Sequence, residues 1–164
     1  MANFPKEVIL KNLTNCKANV ANFCNALVPV LIDRLKQGYS MKNDGTFYKK
    51  DSDIKELVKR YQEQFAGDYS KDQNKLHYVS LRASYGTLQL EISACYRTGE
   101  SSCDYYKHTV YLQDIDAQKF QEYKPIEFFT FEQMQLKEKE LQIIKSIRQE
   151  LETKESQLRY QLNY

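Results

Sequence analysis

Between residues 76 and 114 the spacing of apolar residues changes from about 3.6 to about 2, so the chain must combine helices with sheet. In Thr87–Arg97 the alternation is strict. Leu88, Leu90, Ile92, Ala94 and Tyr96 fall on one side; Thr87, Gln89, Glu91, Ser93, Cys95 and Arg97 fall on the other. Residues 76–85 and 105–113 alternate less cleanly, with Gly86 and the loop 98–102 supplying turns. The pattern predicts a three-stranded antiparallel meander with one apolar and one polar face.

Helical periods flank this segment. Residues 5–37 read as one long helix: Pro5 suits a first helical position, and Leu13, Val20, Phe23, Leu27, Leu31 and Leu35 recur along one face. Gly38 serves as a left-handed cap, and Pro29 predicts a kink or split near residues 25–28. Asn43-Asp44-Gly45 predicts a small hairpin over residues 39–50. Asp53-Ile54-Lys55-Glu56 has the form of a capping box for a second helix, whose face carries Ile54, Leu57, Val58, Tyr61 and Phe65 before Gly67 stops it. A short helix is expected at 116–123, before Pro125. A second capping box, Thr130-Phe131-Glu132-Gln133, opens a last helix over 131–162, with Phe129 and Met134 placed as a hydrophobic staple. The fold class expected is therefore α+β in a single domain, with the terminal helix at 131–164 free to extend from its body.

Size and composition agree with an ordered domain. A chain of 164 residues with 41% hydrophobic and 28% charged residues can bury a core. The net charge is +2, too small to imply a strong nucleic-acid field. No run approaches the ~18 apolar residues of a membrane span, and the start lacks the basic-then-apolar layout of a secretory signal. Four cysteines in that context are expected as reduced thiols in a cytoplasmic setting. Asn12-Leu13-Thr14 matches a glycosylation acceptor by chance, inside a helical pattern. The preference for Lys over Arg, with frequent Asn and Tyr, fits an AT-rich genome of the phage or mobile-element kind.

Catalytic chemistry is not assembled in any familiar motif: there is no Gly-rich phosphate loop, HExxH, GxSxG or CxxC. His77 and His108 are expected on the outer strands, on the apolar face and too far apart to share a metal. Cys95 and Cys103 flank a hairpin and could lie opposite each other; a disulfide or redox pair there is the alternative to the favoured reading of two reduced thiols. Asp51/Asp53 and Asp114/Asp116 each precede an expected helix, where Asp caps free N–H groups. No catalytic residue, metal or cofactor is expected.

Two surfaces remain. The polar sheet face presents Tyr78, Ser80 and Arg82, with Arg97, and Tyr105, Lys107, Thr109 and Tyr111. Tyrosines interleaved with cations can stack bases and meet phosphates, though the same residues also suit any solvent-facing strand. The terminal helix carries Ile144, Leu151 and Leu158 at seven-residue intervals, flanked by Leu141, Ile147 and Leu162 and interrupted by Arg148 and Glu155. Its stripe could pack on the first helix or meet a partner. The leading expectation is a non-enzymatic interaction protein (a structural subunit, adaptor or inhibitor) binding another protein or itself through Ile144, Ile147, Leu151, Leu158 and Leu162. The alternative is a single-strand nucleic-acid binder using Tyr78, Arg82, Arg97, Tyr105, Lys107 and Tyr111.

Overall fold

The computed structural model describes residues 3–37, 51–69 and 73–162. Its elements run α1 (Lys6–Lys36), α2 (Asp51–Gln64), β1 (Asn74–Ser84), β2 (Thr87–Arg97), β3 (Cys103–Asp114), β4 (Lys119–Phe120) and α3 (Phe131–Leu162). The expected hairpin at 39–50 and the Gly38 cap lie outside the described residues. The chain forms two compact units, Met1–Phe128 and Phe129–Tyr164.

The first unit is a two-layer α+β structure. The sheet order is β1-β2-β3-β4, every pair antiparallel. Strict alternation makes β2 the central strand, and Leu88, Leu90, Ile92 and Ala94 are all buried at 2% exposure or less. Against them pack Val20, Phe23, Leu27 and Leu31 of α1, with Ile54, Leu57 and Val58 of α2. Leu13 is partly buried at the edge of this cluster. Phe23 meets Phe65 edge to face with ring centroids 6.1 Å apart, and Asn19 Nδ2 donates to the Phe65 carbonyl at 3.0 Å, tying α1 to the end of α2.

α1 continues through Pro29 as one helix, so the chain does not split there. Pro29 cannot donate to the Asn25 carbonyl, but the surrounding turns are held by tertiary contacts. Leu27, Val28 and Leu31 are fully buried. Asn25 also receives the Tyr123 hydroxyl (2.6 Å) and the Ile126 N–H (2.8 Å) on Oδ1, and donates through Nδ2 to the Ile126 carbonyl (3.1 Å). One polar side chain thus clamps the segment after the sheet onto the helix. Asn12 is buried and donates to the Arg97 carbonyl at 3.0 Å, so its amide holds the fold rather than facing solvent.

The segment 116–123 is not a helix. The chain turns over residues 115–118, with Gln118 at φ 54°, and returns as β4, pairing Phe120 with Gln113. The open edge of β3 offers backbone partners that a short helix would forgo; the Gln121 N–H donates to the Leu112 carbonyl at 2.8 Å. The sheet therefore has four strands rather than three. Asp114 caps this turn, not a helix: its Oδ1 accepts the Ala117 N–H at 3.1 Å. The β1–β2 hairpin turns through Tyr85 and Gly86, at φ 50° and 73°. A Cβ at Gly86 would collide with the Asp116 carboxylate.

The second unit is α3, a 32-residue helix opened by the expected reciprocal cap. The Thr130 N–H donates to Gln133 Oε1 at 2.9 Å, and the Gln133 N–H donates to Thr130 Oγ1 at 3.1 Å. The Lys137 ammonium stands over the Phe129 ring, 4.5 Å from its centroid. No helix among the described residues is long and apolar enough to cross a membrane.

Candidate functional site

The polar face of the sheet is built by register. Pairing aligns Lys75–Cys95–Tyr105, Tyr78–Ser93–Lys107, Ser80–Glu91–Thr109 and Arg82–Gln89–Tyr111 across the three long strands. Three of these rows place one cation and one tyrosine on opposite outer strands, with a smaller polar side chain or a thiol between them. Tyr78, Tyr105 and Tyr111 are each about half exposed, while the β2 members are flanked by their neighbours. Arg82 reaches Glu91 at 3.8 Å, an ion pair across this face. A shallow groove of about 460 Å³ runs over it, lined by Tyr78, Glu91, Ser93, Lys107 and Thr109.

Arg97 occupies the end of the face but is not free to leave it. Its guanidinium lies 5.3 Å from the Phe4 ring centroid and 5.9 Å from that of Tyr69, and Nη2 donates to the Glu100 carbonyl at 3.1 Å. It closes the β2–β3 loop against the N-terminal segment. Charge repulsion from Cys103 and a hydrogen bond with it raise the Tyr105 phenol above its ordinary value.

A bulge between Leu76 and Tyr78 changes which residues share this face. It moves His77 off the apolar side, where simple alternation puts it. His77 is exposed beside Tyr105, with ring centroids 5.5 Å apart. The same bulge brings Lys75 into the Tyr105 row, a residue that alternation assigned to the core side. The signal was present: with Tyr78 outward, unbroken alternation would also turn the apolar Leu76 outward. His108 does lie on the core side, opposite Ile92 and stacked on Tyr106 at 6.3 Å, and burial lowers its pKa from the usual 6.5.

The thiols are four free cysteines. Cys103 stands opposite Arg97, not opposite Cys95, which pairs with Tyr105; the two thiols are diagonal neighbours. Burial pushes the Cys16 and Cys24 thiols up to about 12, which suppresses thiolate chemistry at both. Among the described residues, no group of three or more His, Cys, Asp or Glu could hold a metal ion.

On α3 the expected stripe is present and none of its residues is buried. Leu141, Ile144, Ile147, Leu151, Leu158 and Leu162 are 49–63% exposed. Arg148 and Glu155 interrupt the stripe one heptad apart. Glu155 Oε1 accepts both Nε and Nη2 of Arg159, at 3.1 and 2.9 Å, within the helix. No protein family, curated protein or solved structure matches this chain.

Proposed function

We propose that the protein is a non-enzymatic interaction protein that docks through the apolar stripe of α3. The observation that carries this reading is the exposure of ten large apolar or aromatic side chains on one 32-residue helix, Met134 to Leu162. Helices of this kind draw their stability from an apolar surface that covers the stripe, because propensity alone is marginal in water. A structural subunit, adaptor or inhibitor uses such a helix as its contact element.

The test compares wild type with Leu151→Glu/Leu158→Glu as full-length baits in extract of the native host, with thermal melting of both. The reading predicts equal melts and loss of a partner from the double variant, since a charge in a desolvated seam has no compensating water. Equal retention by both baits contradicts it, as does a collapsed melt.

A second reading rests on the three rows that set a tyrosine opposite a cation on the sheet face. That arrangement suits single-stranded nucleic acid, whose bases stack on the rings while phosphates meet Lys75, Arg82 and Lys107. Tyr105→Ala/Tyr111→Ala should weaken low-salt binding to mixed oligonucleotides by roughly 1–3 kcal/mol per lost stack. Absence of binding by the wild type removes this reading.

A further inference from the structure

We propose that the partner of the α3 stripe is the α3 of a second copy, paired antiparallel. This inference rests on the interaction reading above and names its occupant.

The stripe follows a heptad with Met134, Leu141, Arg148, Glu155 and Leu162 on one core position and Lys137, Ile144, Leu151 and Leu158 on the other. Three charges thus sit where a self-sufficient seam wants apolar residues, Lys137 at its start and Arg148 and Glu155 within it, and the signs of the inner two select the orientation. In a parallel, in-register pair, Arg148 faces Arg148 and Glu155 faces Glu155, and Lys154 lies beside Arg159 of the other helix. Each is a like-charge contact.

In the antiparallel register that sets Leu141 against Leu158 of the second copy, Arg148 lies against Leu151 and Glu155 against Ile144. Side chains on a helix lean toward its N-terminus, so Arg148 and Glu155 of opposing chains lean toward each other and meet. The two-fold axis repeats this pair. Both bonds from Arg159 go to Oε1 of Glu155, which leaves Oε2 for the opposing guanidinium.

The flanks agree with the core. Lys145 lies beside Glu152 of the second copy, and Glu138 beside Arg159 of the second copy. Ile147 is covered by the methylene stem of Lys154 of the second copy. The overlap from Lys137 to Leu162 spans roughly 39 Å at ~1.5 Å per residue. Residues 128–164 hold six basic and six acidic side chains, so two copies do not repel at long range.

Sedimentation equilibrium on the full-length wild type, Arg148→Glu, Glu155→Arg and the double exchange tests this. The antiparallel pair predicts a dimer for wild type. Each single change should weaken it at least about tenfold, because it sets like charges face to face at two symmetric sites. The double exchange should restore it. Circular dichroism checks that all four chains are equally helical. A wild-type dimer indifferent to all three changes overturns the orientation, since a parallel pair has like charges in every case. A monomeric wild type overturns self-pairing altogether. The bait comparison then decides separately whether the stripe binds another protein.

Discussion

α1 and α3 have nearly the same length, 31 and 32 residues, and each carries an apolar stripe, yet α1 buries twelve residues and α3 none. The difference lies in what interrupts the stripes. The buried side of α1 contains no charged residue, and its small members Cys16, Ala21 and Cys24 let the helix approach the sheet closely. On α3, Arg148 and Glu155 stand within the stripe. Periodicity tells that a face needs cover; the residues breaking the period tell what kind of cover it accepts. An uncharged arc suits the low-dielectric core of its own domain, whereas an arc with paired charges suits a surface that supplies their complements.

The largest expected contrast comes from making the same chemical change on both helices. Leu27→Glu/Leu31→Glu on α1 puts two unpaired carboxylates at fully buried positions and should prevent folding of the first unit. Leu151→Glu/Leu158→Glu should leave that unit folded. A smaller effect is expected from truncation. Leu57→Ala and Ile92→Ala, each removing a core side chain, should each cost about 2–4 kcal/mol in denaturant unfolding. Leu158→Ala on α3 should change the unfolding of the first unit by no more than about 0.5 kcal/mol.

The smallest effect is a pH dependence confined to the first unit. His108 has a folded pKa below its usual 6.5 because burial disfavours the imidazolium. The unfolded chain therefore takes up the proton first as pH falls. Its contribution to stability is complete above about pH 6.5 and declines as pH drops from there toward the folded value. Urea midpoints at pH 7.5 and 5.5 should fall further for wild type than for His108→Gln. An equal fall in both places His108 in water.

Much of this architecture is legible in the residues. The capping box at Thr130, the alternation of β2 and the stripe of α1 each repeat one physical signal over several positions, and each appears in the structure. The failures share a cause. β4 forms because the β3 edge lies alongside it, a non-local partner that residues 116–123 do not encode in their own spacing. α1 passes Pro29 because core packing and the Asn25 clamp hold the turns on either side. The bulge at His77 carries no glycine to mark it, and its one trace in the residues is the apolar Leu76 that unbroken alternation would turn outward; the contacts of Arg97 with Phe4 and Tyr69 leave no trace in local spacing.

The account's central claim is that the α3 stripe serves an interface and not the core of the first unit. Near-UV circular dichroism follows that core most directly, because nearly all of the thirteen tyrosines lie before α3. The Leu151→Glu/Leu158→Glu chain, melted at a concentration too low for association, should lose its aromatic signal at the wild-type midpoint. A midpoint that collapses toward that of Leu27→Glu/Leu31→Glu would contradict the account and assign the stripe to the protein's own interior.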